Sequence, residues 1–348
     1  MADLDFTPPA VALPQLTLHR PVKSWLQLTG SCNLKCKQCY GDCSSAAPAD
    51  EMSAEEFKRL ADEMTEAGII ELLVEGGEPL HRPDYLEILR YCARTMLVRL
   101  RTNATLLDAE RAAALRDAGV AGLVVDFMGA TAETHDWHAG IPGSLERTLR
   151  GLSIAKEAGL EPVATLIMTR RNVGELQAYL DMVAAAGVRR VGILRLYPLG
   201  RAKRYWDEMA LSLPEQMAAL DALVVPDDVY LMRSWHPKDG NCCWQASGVD
   251  STGRSVGCSY LRDFVDFGNI RDTPFLTTWQ HPLFRRLRAR NVEDHCTECE
   301  STQGSKGGCR STAYAFTGDW DAPDPFCTTT NRGTDVRLLP TRLLPEKG

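Results

Sequence analysis

The sequence has no apolar run approaching the roughly 20 residues that cross a bilayer. Its first 18 residues are acidic and then proline-rich, without the basic start and apolar middle of a signal peptide. A cytoplasmic location with no membrane partner is the expectation. An excess of positive charge is also missing. The formal net charge is −7, which opposes a polyanion, so nucleic acid is not an expected partner. The basic run at 285–290 reads as a solvated helix face. The remaining composition, 44% hydrophobic and 24% charged, is ordinary for a globular chain. At 348 residues the chain is long enough for one large α/β domain, alone or with a small second one.

Cysteine, by contrast, is plentiful: there are 12, and 11 of them fall in two blocks, 32–43 and 242–327. A reducing compartment disfavours a disulfide framework, so this clustering points to metal or iron–sulfur ligation. The twelfth, Cys92, sits in a helical pattern and is expected in the core. In the first block, Cys32, Cys36 and Cys39 stand at CX3CX2C spacing directly after the apolar stretch 25–28. Three thiolates on one loop can hold three irons of a [4Fe–4S] cubane and leave the fourth iron open to a small molecule. A zinc knuckle is the alternative for the triplet taken alone.

Six strand segments alternate with helical ones: strands at 24–29, 69–74, 97–101, 122–127, 162–168 and 188–196. Helices are expected at 53–68, from 83, and at 108–118, 144–158 and 173–186. Ser53-Ala54-Glu55-Glu56 is a capping box, and the apolar residues after it recur at helical spacing. Such alternation implies right-handed βαβ units and a parallel sheet. Six units favour a partial (β/α)6 TIM-like barrel, with reactive groups on the loops after the C-terminal strand ends. The expected organisation is a lead-in over 1–22, too short for a peptide-recognition domain, and a barrel over 23–210. After the barrel come a linker helix region at 211–234, a small cysteine-rich domain at 235–327 and a partly disordered tail at 328–348.

The triplet, followed by Tyr40, resembles the cluster loop of the radical S-adenosylmethionine (SAM) enzymes. Gly76-Gly77-Glu78-Pro79 follows the second strand, where this family carries the segment that binds the methionyl amine of SAM. The glycines let backbone approach a ligand, and Glu78 offers a carboxylate. The resemblance implies SAM contacts from Tyr40, Gly76, Gly77, Glu78 and Pro79. It also implies contacts from Asn103 after the third strand, Thr169 and Asn172 after the fifth, and Leu199 after the sixth. After the fourth strand the chain reads Asp126-Phe127-Met128-Gly129 where relatives often carry a serine, so Asp126 faces either SAM or the substrate. His135, Asp136 and His138 read as surface or structural residues. The implied chemistry is reductive cleavage of SAM to a 5′-deoxyadenosyl radical, which takes a hydrogen atom from an unactivated C–H.

The second block resembles the SPASM/twitch auxiliary domains of the same superfamily. Cys243-X9-Gly253-X4-Cys258 matches their opening pattern. Cys296, Cys299, Cys309 and Cys327 then supply four thiolates for one auxiliary Fe–S cluster. The sequence departs from the pattern in one spacing and in carrying Ala313 where a further cysteine stands. A second cluster at Cys243 and Cys258 would lack a ligand; Cys242 as replacement, a [2Fe–2S] cluster, a non-cysteine or substrate ligand and an empty site are the alternatives. A zinc site at the four later cysteines is the alternative. Cys43 and Cys242 remain as candidate hydrogen-atom donors. Auxiliary clusters suit net oxidation, because they accept the electron left after hydrogen abstraction. The expected substrate is a small natural product such as an aminoglycoside sugar, which is dehydrogenated or epimerised. A ribosomal peptide and a tetrapyrrole side chain are the alternatives, and a non-enzymatic Fe–S or zinc protein is the reading from another class. Flavodoxin or ferredoxin is the expected reductant.

Overall fold

The computed structural model describes residues 18–234, 246–289, 308–328, 331 and 333–343. The alternating segments form β1 (Lys23–Gln27), β2 (Glu71–Glu75), β3 (Leu97–Thr102), β4 (Val120–Phe127), β5 (Glu161–Ile167) and β6 (Arg190–Leu194). Each pairs in parallel with the next. The crossovers carry α1 (Ala54–Ala67), α2 (Tyr85–Cys92), α3 (Ala109–Asp117), α4 (Ala132–Ala139), α5 (Ser144–Glu157) and α6 (Leu176–Ala185).

Local chemistry sets the helix ends. At α1 the Ser53 hydroxyl accepts from the Glu56 amide, and the Glu56 carboxylate accepts from the Ser53 amide. The helix stops at Gly68, whose φ of +88° an L-residue adopts only with strain. Between these ends Phe57, Leu60, Ala61 and Met64 are buried in the main core, as is Cys92 on α2. Helix α4 has no counterpart among the expected helices, because its buried face is occupied by His135 and His138 and shows no apolar period.

The sheet is wider than six strands. After α7 (Trp206–Met209) and α8 (Leu213–Asp221), β7 (Tyr230–Arg233) joins beside β6, and β8 (Ala246–Val249) joins beside β1. The order is β7-β6-β5-β4-β3-β2-β1-β8, all parallel, with the two outer strands unpaired to each other among the described residues. The expected six-unit partial barrel is therefore the centre of an open eight-stranded sheet. Residues 211–234 supply a strand as well as the expected helix, and the cysteine-rich stretch returns a strand to the barrel before it leaves. Both added strands are short. One is largely half-exposed and the other reads Ala-Ser-Gly-Val, so neither shows the alternation that marks the inner six.

Trp25 on β1 joins the barrel to the C-terminal region. Its indole Nε1–H donates to the Gly257 carbonyl at 2.8 Å, and its ring packs with Val256, Leu261, Phe267 and Phe284. Gly248 makes room, since a β-carbon there would lie 1.9 Å from Trp25 Nε1. Helices α9 (Phe275–Trp279), α10 (Pro282–Ala289) and α11 (Arg310–Thr317) complete the described part. The described part of the tail, a segment expected to be partly disordered, is anchored at two points and otherwise exposed or half-exposed. Val336 and Leu343 are buried, and Trp206 donates to the Val336 carbonyl at 3.2 Å. No described helix is long and apolar enough to cross a membrane.

Trp25→Ala should lower unfolding free energy by about 3–5 kcal/mol in denaturant titrations. Trp25→Phe, which keeps a ring but leaves the Gly257 carbonyl unpaired, should cost about 1 kcal/mol. Equal losses in the two variants would show that the hydrogen bond, not the buried ring, ties the regions together.

Candidate active site

The loops after β1, β2 and β6 are fastened to one another by backbone. The Gly77 amide donates to the Thr29 carbonyl at 2.6 Å, and the Glu78 amide donates to that of Ser31 at 2.8 Å. A β-carbon at Gly77 would lie 2.0 Å from the Ser31 oxygen, and one at Gly76 would lie 2.8 Å from that of Thr29. Both glycines are thus required for close approach, but the partner approached is the cysteine loop. From the other side, Gly200 has φ +50°, and a β-carbon there would sit 2.4 Å from the Tyr40 oxygen. The Arg201 amide donates to the Cys39 carbonyl at 2.9 Å. The Arg201 guanidinium holds the Cys36 carbonyl at 3.1 Å, the Asp42 carboxylate at 2.9 Å and the Cys43 carbonyl.

A cavity continuous with solvent lies over these loops. Cys32, Cys36, Cys39 and Cys43 line it together with Tyr40, Gly76 and Gly77. Asn103 and Asp126 complete the predicted residues in its wall. Glu78, Pro79, Thr169, Asn172 and Leu199 are set behind that wall. Glu78 is fully buried and its carboxylate is already engaged: it accepts from Thr102 Oγ1 at 2.7 Å, the Asn103 amide at 2.8 Å and the Leu80 amide at 3.1 Å. Burial lifts its pKa to about 7 against the pull of those donors. Asn172 likewise clasps two strand ends, donating to the Met128 and Ile167 carbonyls while accepting from the Thr169 amide. Leu199 is buried beneath the loop that Arg201 fastens.

Several wall residues carry no signal in the sequence. Arg101, at the end of β3, donates two hydrogen bonds to Asp126, at 2.8 and 2.6 Å, and Thr165 donates a third at 2.5 Å. Asp126 therefore presents a neutralised pair to the cavity instead of a lone carboxylate. Glu75 accepts from the Tyr40 hydroxyl at 2.5 Å, and burial raises its pKa. His135 reaches the wall from α4, with Nδ1 accepting from the Met128 amide at 3.2 Å, so its proton sits on Nε2. Asp136 and His138 are structural. Asp136 accepts from the Gly143 and Leu145 amides and the Ser144 hydroxyl at the start of α5. His138 bridges the Thr134 carbonyl and the Thr169 hydroxyl. Glu75, Arg101 and Asp126 all stand at strand ends facing the cavity, and of the three only Asp126 is a predicted site residue.

The donor set suits a cubane. No three His, Cys, Asp or Glu side chains among the described residues converge as ligands of a single ion. In a cubane each thiolate takes its own iron, so sulfurs belong around a cavity, which is where Cys32, Cys36 and Cys39 stand. Burial pushes the Cys32 thiol up to about 12 and Cys36 well up, while a hydrogen bond from Cys43 draws Cys39 down to about 6. Iron binding must therefore release protons from the first two.

Of the second cysteine block, Cys258, Cys309 and Cys327 are described, and Cys242, Cys243, Cys296 and Cys299 lie outside the described residues. Asp324 organises two of the expected ligands: Oδ2 accepts from the Cys309 amide at 2.8 Å, and its carbonyl accepts from the Cys327 amide at 3.0 Å. Arg195 pairs with the same Oδ2 at 2.8 Å, both partners being almost fully buried. Ala313, at the position of the absent cysteine, is buried in α11. An aromatic bridge spans from the first block to the second. Tyr40 meets Tyr260 edge-on at 5.6 Å, and Tyr260 stacks on Tyr197 at 3.9 Å.

Two outcomes are expected. Gly77→Ala should lose most of the iron held by the first three cysteines, read as iron and sulfide per chain, because Ser31 must move. Burial lowers His135 and His138 from 6.5 to about 4, outweighing the nearby Asp136 and Glu175 charges. The unfolded chain takes up these protons first as pH falls, so stability is full above about 6.5 and is lost towards about 4, by up to about 3 kcal/mol per histidine. His138→Gln should flatten that part of the stability–pH curve. An unchanged slope would remove His138 from the account.

The comparisons with known proteins agree with this geometry. Residues 26–183 match the model of the radical SAM superfamily, and residues 242–300 match that of SPASM, an iron–sulfur cluster-binding domain. Cys309 and Cys327 lie beyond the second match. The chain is 34% identical to the AdoMet-dependent heme synthase of Methanosarcina barkeri, covering 86% of this chain and 94% of that one. It is 30% identical to the mycofactocin maturase MftC of Mycolicibacterium smegmatis, covering 89% and 83%. In fold it resembles SuiB of Streptococcus suis bound to S-adenosylmethionine, with a TM-score of 0.73 over 89% of this chain and 78% of that one at 15% identity. These relatives do not point to aminoglycoside oxidation, the first substrate expectation. The chain belongs to the radical SAM superfamily, as an enzyme with a [4Fe–4S] cluster that works with SAM and a C-terminal SPASM domain for auxiliary Fe–S clusters.

Proposed function

We propose that this enzyme oxidises a side chain of an iron tetrapyrrole: the side chain would lose one hydrogen atom to the SAM-derived radical, a proton or carbon dioxide to solvent, and the remaining electron to an auxiliary cluster. Cys32, Cys36 and Cys39 would hold the first cluster, and SAM would be held in the cavity beside Gly76 and Gly77. When bound, these groups supply a 5′-deoxyadenosyl radical for hydrogen abstraction. The chain's own residues position and exclude. Glu78 and Asn172 hold the ends of β3, β4 and β5 in place from behind the wall. The Arg101–Asp126 pair and the Tyr40–Glu75 pair fix the polar floor, and Leu34, Met128 and Ile167 give the wall an apolar part. Cys43 acts as a hydrogen-bond donor to the Cys39 sulfur, a role that leaves no need for it as a hydrogen-atom donor in a net oxidation. Flavodoxin or ferredoxin delivers the starting electron.

The observation that carries the oxidative reading is the aromatic bridge. Tyr40 follows ligand Cys39, Tyr260 lies two residues past Cys258, and Tyr197 lies two past Arg195, so an electron has a continuous packed route between the blocks. The tetrapyrrole rests on near full-length similarity to a heme synthase. Maturation of a peptide is the second reading, favoured by the similarity to MftC.

Reconstituted anaerobically and reduced, the enzyme should form 5′-deoxyadenosine from SAM faster when an iron tetrapyrrole is added, with a matching change in the tetrapyrrole's mass. Cys32→Ala, Cys36→Ala and Cys39→Ala together should drop turnover to the enzyme-free level. Stimulation by a peptide encoded nearby, and by no tetrapyrrole, would replace the first reading with the second.

A further inference from the structure

The chain carries a net charge of −7, yet the surface beside the cysteine loop is positive. Lys35 and Lys37 flank Cys36, and the end of α4 holds the backbone that carries them. The Lys35 amide donates to the Ala139 carbonyl at 2.9 Å, and the Lys37 amide donates to that of His138 at 2.8 Å. Trp137, half-buried on α4, gathers two cations: the Lys37 ammonium lies 4.3 Å from a ring centre and the Arg171 guanidinium carbon 4.2 Å. The Lys37 ammonium also donates to the Trp137 carbonyl at 2.6 Å. Lys35 and Arg171 are exposed. Among the described residues no carboxylate forms an ion pair with Lys35, Lys37 or Arg171.

The surplus is local and held in place. Cation–π attraction keeps two like charges on one ring, where Arg171 opposes the charge on Lys37 and Glu208 offsets it without an ion pair. Beside them Asp42 is shared by Arg201 at 2.9 Å and Arg204 at 3.1 Å, which leaves one further positive charge over. The charge of the Cys36 sulfur reaches the Lys37 ammonium, so this face adjoins the cysteine loop. A fixed cationic face speeds association with an anionic partner, and electron-transfer encounters need only a small, weak interface.

We propose that Lys35, Lys37 and Arg171, gathered around Trp137, form the docking face for a small acidic one-electron carrier protein that reduces the first cluster. It rests on the reading that Cys32, Cys36 and Cys39 hold that cluster. In the step, the flavin hydroquinone anion of a flavodoxin gives one electron to the oxidised [4Fe–4S] cluster. The products are the neutral semiquinone and the cluster reduced by one electron, and no proton moves. Entry beside Cys36 leaves Tyr40, on the residue after Cys39, free to begin the aromatic route towards the second block.

The test mixes reduced flavodoxin with the anaerobically reconstituted full chain in a stopped-flow instrument, without substrate, and reads semiquinone formation. The signal of the chain carrying Cys32→Ala, Cys36→Ala and Cys39→Ala is subtracted, so that only the first cluster reports. Lys35→Glu with Arg171→Glu should lower the second-order rate at low salt at least about tenfold, with iron per chain unchanged. Reduction by the methyl viologen radical cation, whose charge has the opposite sign, should not slow. Raising salt to about 0.3 M should bring the parent's flavodoxin rate down towards that of the variant. Equal flavodoxin rates in parent and variant, or a parent rate indifferent to salt, would overturn the proposal. If the double variant loses its iron, Lys35→Gln with Arg171→Gln takes its place. A flavodoxin rate lowered at least about threefold then supports the face, and an unchanged one overturns it. The viologen arm separates the two readings. A parent with no viologen signal from the first cluster loses the cluster assignment and the proposal together, whereas a normal viologen signal beside an unaltered flavodoxin rate removes the docking face alone.

Discussion

The contact between Gly76–Gly77 and the carbonyls of Thr29 and Ser31 leaves no room for a β-carbon, and the rest of the site depends on it. It sets the distance between the cysteine loop and the Gly-Gly segment, the two parts proposed to hold iron and to face SAM. Because the two loops continue the pairing of β1 with β2, their spacing is inherited from the sheet. The cavity floor is thereby tied by backbone hydrogen bonds to the edge of the barrel sheet. Arg201 closes the arrangement from β6 by holding carbonyls on both sides of the cysteine loop.

Around this floor the polar groups are used in pairs. Arg101 neutralises Asp126, Tyr40 satisfies Glu75, and Arg195 meets Asp324. Such pairing lets charged groups stay in a place that must exclude water, since an unpaired ion there would cost several kcal/mol. Glu78 and Asn172 follow the same logic with backbone partners. Residues whose motif implies a ligand contact thus also fix strand ends.

How much can be read from the sequence depends on how each feature is encoded. The six inner strands announce themselves by β-branched alternation, α1 by its capping box, and the cluster loop by three cysteines at fixed spacing. Strands β7 and β8 are invisible because Tyr-Leu-Met-Arg and Ala-Ser-Gly-Val pair through backbone alone, without an apolar pattern. Helix α4 is hidden because histidines occupy its buried side. In the site, motif position located Gly76 and Gly77 but not the direction in which Glu78 points, which depends on Thr102 and Asn103 arriving from β3. Glu75 and Arg101 carry no motif. Their place emerges only when neighbouring strands are set in register.

The pairing of β8 with β1 has a consequence for synthesis of the chain. Ser24 bonds to Ser247, 223 residues away, so β1 keeps an open edge until most of the polypeptide exists. Open strand edges recruit other strands, and contacts so distant in sequence form slowly. The strand that feeds directly into Cys32, Cys36 and Cys39 is thus the last of the inner strands to gain its outer neighbour. During that interval the three thiols sit on a sheet whose outer edge is still open.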